Sequence, residues 1–392
     1  MPPLGKNAQP ANTAFLDGLR GLAAFVVMVG HARWLLWEGW GNSAAHRASH
    51  GPFGRLLMYV LVPFRFGHEM VVLFFVLSGF VIHLRYARGY VRDPGATFDL
   101  GAFWRRRARR IYPPLLFAMV VTFLCDVIGE HAGFGIYSGS TVYPLLNANI
   151  HASHDWWTAL GNLSFLMGAY VPVWGTNGPL WSLMYEWWFY MLYPAVWFVA
   201  RRSLLLGSAI VFGGCFVAVV FPGWPLRMPE QVLAGMGIWW LGAVLAEKEA
   251  GRLSVRWRSL GMFAVALLPA PFMRASPFAD GVWGLGFFGL ISILFALGEH
   301  HVTRRALGRL GWLGECSYTM YVIHFPLLVL LSGWLMSRSP SGTLPAHLGW
   351  VYGSIPVLVL FSYLAHYFVE RPFVRSSRKP AREPSSAPAL AA

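Results

Sequence analysis

The stretch Phe15-Leu-Asp-Gly-Leu-Arg-Gly-Leu-Ala-Ala-Phe-Val-Val-Met-Val-Gly-His31 decides the fold class, because it is apolar enough to lie in lipid and still carries Arg20 and His31. On an α-helix an eleven-residue step turns about 1,100° and rises about 16 Å, which returns to within about 20° of the starting face. One face therefore presents a guanidinium near one membrane surface and an imidazole more than halfway across. A guanidinium suits a phosphate and an imidazole suits proton transfer, so an extended ligand with a phosphorylated head and a long flexible arm fits both. Simpler readings exist for each residue. Arg20 can snorkel to the headgroups as a topology anchor, and His31 can be a hydrogen-bonded histidine of a helix bundle.

The rest of the chain agrees with a membrane location. Its 392 residues are 56% hydrophobic and 12% charged, with a mean hydropathy of +0.50. Those values do not describe a soluble globular protein and point to an all-α integral membrane protein, with the plasma (inner) membrane as its expected location. The net charge of +14 does not indicate nucleic-acid binding, because the arginine clusters sit between apolar segments, as the positive-inside rule requires. Cys125, Cys215 and Cys316 lie in apolar stretches without ligand spacing, so neither a disulfide framework nor a zinc site is expected. His46 and His50 have i, i+4 spacing but no third ligand nearby, and no metal is expected there.

Ten apolar segments are long enough to cross a hydrocarbon layer of roughly 30 Å: 15–37, 67–84, 111–128, 179–200, 203–222, 231–247, 259–274, 281–298, 311–336 and 349–369. With ten crossings, Arg105–Arg110, Arg201-Arg202, Lys248–Arg258, Arg304–Arg309 and Arg371–Arg378 fall on one side, which makes that side and both termini cytoplasmic. Arg47, Arg55 and Arg65 are exceptions on the opposite side, where they suit an anionic acceptor. Between 129 and 178, Trp156-Trp157 and Leu163–Tyr170 read as a helix at the interface or dipping into it. Residues 1–14 and 375–392 are expected to be disordered tails around a single transmembrane domain, 15–374. No cleavable signal peptide is read.

Six motifs, in order, carry a family resemblance. They are Leu16-Asp-Gly-Leu-Arg-Gly-Leu-Ala23 with His31, Leu73-Phe-Phe-Val-Leu-Ser-Gly-Phe-Val-Ile82, Phe103 with Arg107-Ala-Arg-Arg-Ile-Tyr-Pro-Pro114, Leu180-Trp-Ser-Leu-Met-Tyr-Glu-Trp-Trp-Phe-Tyr190, Ser317-Tyr-Thr-Met-Tyr-Val-Ile-His-Phe-Pro326 and Glu370-Arg-Pro-Phe373. Over about residues 14–374 the chain resembles the acyltransferase-3 family of integral membrane acyltransferases. The resemblance implies ten spans and transfer of an acyl group, often acetyl from cytoplasmic acetyl-CoA, to a hydroxyl of a sugar or glycan, commonly at the outer face. Some relatives carry a further extracytoplasmic hydrolase-like domain. The sequence to Ala392 is expected to lack it, so that transfer finishes within the bundle or with a separate extracytoplasmic partner protein. One departure stands out: the acidic residue usual two positions before the Phe-Phe pair is Val72 here, with His68-Glu69 just upstream.

On this basis Arg20, Arg107 and Arg110 are expected to hold the phosphates of acyl-CoA, a donor co-substrate rather than a bound cofactor. His31 is the expected general base, and Asp17 or Glu69 the groups that orient it. Glu186 is a candidate acidic site residue or a structural acceptor. Ser78 reads as close helix packing, with a covalent acyl-Ser78 or acyl-His route as the alternative. His324 and Glu370 read as structural pairs within the bundle. The partners expected are the acyl-CoA, a carbohydrate, glycan or glycolipid acceptor, and the lipid bilayer. The rival function is a secondary transporter or flippase for a sugar or lipid-linked substrate, which intramembrane His, Arg and Glu would also suit.

Overall fold

The computed structural model describes residues 13–39 and 51–375. His46, His50, Arg47 and most of both expected tails lie outside the described residues. Among those described, the chain is helical throughout, with only an isolated bridge between Met167 and Val171. Nine long helices are labelled α1 (Ala14–Leu35), α2 (Gly67–Arg92), α3 (Leu100–His131), α4 (Trp181–Ala200), α5 (Leu204–Val220), α6 (Arg227–Glu249), α7 (Pro277–Ala296), α8 (Ser317–Arg338) and α9 (Gly349–Val369). Six helices are long and apolar enough to cross a membrane: α1, α2, α3, α7, α8 and the last, Gly349–Phe373, which extends α9.

Backbone contact at small residues holds the bundle together. A Cβ on Gly79 of α2 would stand 1.9 Å from the Trp239 carbonyl oxygen of α6, and one on Gly242 of α6 would stand 1.9 Å from that of Val76. Helices in lipid gain little from hydrophobic burial against one another, so close backbone approach of this kind supplies packing that larger side chains would prevent. The contact is extended at the basic end by a polar cluster in which His83 and Glu247 are fully buried. His83 Nε2 lies 2.6 Å from Glu247 Oε1, and Arg252 donates to the same oxygen at 2.8 Å and to the Arg201 carbonyl at the end of α4 at 2.9 Å.

Two of the ten expected segments take a different form. Helix α3 starts at Leu100 rather than 111, because Asp99 caps it by accepting from Ala102 N at 2.8 Å. Arg105–Arg110 therefore stand on the first turns of the helix and not in a loop, and Pro113-Pro114 are carried inside it. The 259–274 segment is not one helix. It comprises a short helix, Trp257–Gly261, and two 3₁₀ turns, Met262–Leu267 and Ala270–Phe272. It runs antiparallel to α7, with Gly261 against Ile293, Gly289 against Ala264 and Gly286 against Leu267. The tighter winding rises about 2 Å per residue, so a short segment reaches about as far as a longer α-helix would.

Between α3 and α4 the chain folds back into the bundle. Two short helices, Pro144–Asn149 and Trp156–Leu163, are followed by turns through Phe165, a non-glycine residue with φ of 54°, and Gly175, with φ of 54°. Leu163–Tyr170 is thus mostly turn and not helix. Asp155 caps the second short helix through Thr158 N (2.9 Å) and Oγ1 (2.6 Å), bonds that hold its carboxyl below the usual carboxylate range. Irregular backbone at this depth is tolerated only where its polar groups find partners. Asp126 of α3 accepts from Thr176 N (2.9 Å) and Oγ1 (2.6 Å), and Asn177 Nδ2 donates to Thr122 Oγ1 (3.0 Å) and to the Val322 carbonyl of α8 (2.8 Å).

Gly242→Ala should destabilise the protein by about 1–3 kcal/mol, the usual range for overpacking, seen as a lower Tm in detergent. Gly213→Ala on α5, which has no atom within 4 Å of the added Cβ, should leave Tm unchanged or raise it slightly.

Candidate active site

Helices α1 and α8 are clamped together at two levels. At the basic end, Gly18 and Gly21 let α1 touch backbone: an added Cβ would lie 1.7 Å from the Leu307 carbonyl oxygen and 2.5 Å from Gly314 N, respectively. That approach brings Arg20 onto the start of α8. Its Nε donates to Ser317 Oγ at 3.1 Å, and its Nη2 donates to the Gly314 carbonyl at 2.9 Å and pairs with Asp17 Oδ1 at 3.0 Å. Three of the five guanidinium donors are thus spent on protein.

A narrow cavity of about 90 Å³ rises from this point. Arg20, Arg107, Arg110, Glu186, Tyr318 and Tyr321 line it, together with apolar residues of α2. Of the α3 arginines, Arg107 and Arg110 face it from about two to three turns beyond the Asp99 cap. The Arg107 guanidinium lies over the Tyr190 ring at 5.5 Å, and its Nε is buried without a hydrogen-bond partner, as is the Tyr318 hydroxyl. Glu186 accepts a short hydrogen bond from the Tyr190 hydroxyl. That hydroxyl lies 3.2 Å from Ser78 Oγ, which accepts from Trp239 Nε1 at 3.2 Å. The directions are then fixed, with Ser78 donating to Tyr190. Its hydroxyl is engaged on both sides and has no base beside it, which is a packing arrangement rather than that of a nucleophile.

The second clamp is at the far end of α1. His31 Nδ1 lies 2.8 Å from His324 Nε2, and His324 Nδ1 lies 2.8 Å from the Met320 carbonyl oxygen. A carbonyl only accepts, so His324 carries its proton on Nδ1 and its Nε2 is an acceptor. His31 must then donate from Nδ1, which leaves the lone pair on its Nε2. The network assigns both tautomers from one backbone oxygen. His31 lines a cavity of about 240 Å³ with Trp34, His68, Asn149, Gly178, Trp181 and Tyr321. Tyr321 and Val71 border this cavity and the arginine-lined one alike. The Tyr321 hydroxyl is held 2.8 Å from Ser182 Oγ and donates to the Pro179 carbonyl at 2.9 Å.

The candidate residues fall into two groups. Arg20, Asp17, Arg107, Arg110 and Glu186 meet at the basic cavity, and His31 stands at the other. Asp17 is bound to Arg20, about 21 Å along the helix axis from His31, and so does not orient it. Glu69 sits in the first turn of α2 with a buried Oε2 that has no partner, and it is not among the residues lining the His31 cavity. The group bonded to His31 is His324, whose sequence reading is that of a structural pair. Its signal was present in Ser317–Pro326, whose helix spacing puts His324 seven residues above Ser317 on one face. Glu370 accepts from Thr319 Oγ1 at 2.9 Å and pairs with His366 at 3.0 Å. Among the described residues no group of three or more His, Cys, Asp or Glu is arranged to hold a metal ion.

The family comparison matches the acyltransferase domain over residues 13–367, a range that contains both clamps. This chain belongs to the acyltransferase-3 family. Among relatives of this acyltransferase-3 chain is the O-acetyltransferase OatA of Staphylococcus aureus, 24% identical over 96% of this chain and 59% of its own length. The putative peptidoglycan O-acetyltransferase YrhL of Bacillus subtilis is 22% identical over 91% of this chain and 54% of its own. The peptidoglycan O-acetyltransferase OatA of Listeria monocytogenes is 23% identical over 83% and 51%. The chain therefore spans a little over half the length of these curated relatives. No solved structure matches it.

His324→Ala removes the acceptor that fixes the His31 tautomer and should lower acetyl transfer by about 10²-fold, the scale on which orienting partners act. The KM for the donor should not change. His324→Gln, whose Oε1 can still accept from His31 Nδ1, should recover part of the loss when transfer is followed with radiolabelled acetyl-CoA.

Proposed function

We propose that this acyltransferase-3 member moves an acetyl group from acetyl-CoA, bound at the arginine-lined end, to a hydroxyl of a glycan at the opposite end, with His31 as general base. The observation that carries the reading is the His31–His324–Met320 chain, which leaves one imidazole nitrogen unprotonated in a cavity that shares walls with the arginine-lined one. The names of the relatives support an O-acetyl product on a cell-wall glycan.

In the transfer, the acceptor oxygen attacks the thioester carbonyl as its proton passes to His31 Nε2. The carbon–sulfur bond then breaks, and the imidazolium returns the proton to the leaving thiolate, giving CoA thiol and the ester. His324 Nε2 accepts from Nδ1 throughout and so steadies the imidazolium. Arg107 and Arg110, with Arg20 beside them, face the phosphates of CoA. The pantetheine arm enters the narrow cavity between them and Tyr321, which must widen to admit it.

The proposed topology has ten crossings, the broken 257–272 stretch being the seventh, with both termini cytoplasmic and the protein in the plasma membrane. The pairing of Arg20 with the start of α8, and of Arg304 with the Phe15 ring at 4.5 Å, supports one shared basic side. A separate extracytoplasmic protein is a further proposed partner.

The test is transfer of labelled acetyl from acetyl-CoA into the carbohydrate fraction of membranes holding equal amounts of each variant. Wild type should label glycan, and His31→Ala should lose about 10²–10⁴-fold, the usual contribution of general-base catalysis. Arg107→Ala and Arg20→Ala should recover in part at high acetyl-CoA. Equal labelling by His31→Ala would remove the base. Sugar counterflow without CoA release would instead make the protein a carrier.

A further inference from the structure

The His31 cavity adjoins a second one of about 220 Å³ that the transfer chemistry does not use. His68, Val71 and Trp181 line both. The remaining wall is built by α2, α4, α5, α6 and α7 and the connection before α6, and includes Tyr185, Glu230, Gln231 and Asp280.

Its chemistry is specific. The Trp181 indole packs on the His68 ring at 5.7 Å with planes 19° apart, and edge-on to Tyr185 at 5.5 Å. His68 Nε2 is hydrogen-bonded to Asp280 Oδ1 at 2.9 Å. Glu230 is occupied, accepting from Gly223 N and Trp224 N and so fixing the loop at the rim. Gln231 Oε1 is not: it is buried in the wall with no hydrogen-bond partner. A buried acceptor left unpaired is costly, and a ligand hydroxyl is what would satisfy it. Among the described residues, no lysine or arginine lines either of the two adjoining cavities.

Aromatic rings beside a few polar groups, with no fixed cation, suit an uncharged pyranose. The apolar C–H face of such a sugar packs on a ring while its hydroxyls pair at the rim of the plane. We propose that this side cavity is a subsite for an uncharged sugar ring of the acceptor, packed against Trp181 and hydrogen-bonded by Gln231 and the His68–Asp280 pair. The neighbouring ring of the same glycan then stands in the His31 cavity. The proposal rests on the acyl-transfer reading for its purpose, but sugar binding itself can be measured without transfer.

The experiment uses the full chain in lipid nanodiscs and the β-1,4-linked tetramer of N-acetylglucosamine as probe, with binding followed by equilibrium dialysis of the labelled tetramer. Wild type should bind saturably. Trp181→Ala and Gln231→Leu should each weaken binding about tenfold, the scale of losing one well-made polar or ring contact. Trp181→Phe should recover part of the loss, and Leu205→Ala on the exposed face of α5 should bind as wild type. If Trp181→Ala does not fold, Trp181→Phe and Gln231→Leu still decide. No saturable binding by wild type, or equal binding by the variants, overturns the subsite. Binding without any CoA release from acetyl-CoA overturns acyl transfer and leaves the subsite standing.

Discussion

The alignment of α1 with α8 is the constraint on which the rest of the site depends. Arg20 fixes it at one level by bonding Ser317 and the Gly314 carbonyl, and His31 fixes it at another by bonding His324. Both bonds require the helices to lie close, and glycine makes that possible: Gly18, Gly21 and Gly314 stand where any side chain would collide with backbone. The Asp-Gly-Leu-Arg-Gly motif is therefore a joint between helices. Its glycines set the depth at which the arginine and, eleven residues on, the histidine are presented.

The second support is the refolded stretch between α3 and α4. Buried turns need partners for their polar groups, and here Asp126 of α3 accepts from the Thr176 backbone amide while the Val322 carbonyl of α8 accepts from the Asn177 side chain. Asp126 is fully buried and is bonded by Thr176 and by His154 at 3.0 Å. These bonds hold Pro179 where its carbonyl accepts from Tyr321, so a loop remote from His31 in sequence shapes the wall beside it.

Much of this was legible in the residues. The helical class, the shared face of Arg20 and His31, and the gathering of Arg107 and Arg110 with Arg20 all follow from periodicity and charge. The partner of His31 did not, because it lies 293 positions away and only the packing of α1 on α8 brings it near. Asp17 was a natural choice for the orienting role, but an i, i+3 ion pair with Arg20 claims it. The seventh apolar segment carried a warning in Pro269 and Pro271, which lack the N–H that a continuous helix needs, but its apolar length outweighed it. Hydropathy records how apolar a stretch is but not its winding, and the winding here follows from contact with the glycines of α7. The early start of α3 was readable from Asp99, a strong cap, though the arginine run after it looked more like a loop.

Tyr321 has a consequence for the cell that the chemistry alone does not show. A membrane that stores energy as an ion gradient tolerates no continuous column of water through a protein, since protons pass along such a column. The two cavities approach each other at Tyr321 and Val71, and the tyrosine hydroxyl is tied down by Ser182 and Pro179. The side chain stands between the two cavities as their shared wall. In the topology proposed above, its bulk is what would keep the two sides of the membrane apart while no substrate is present.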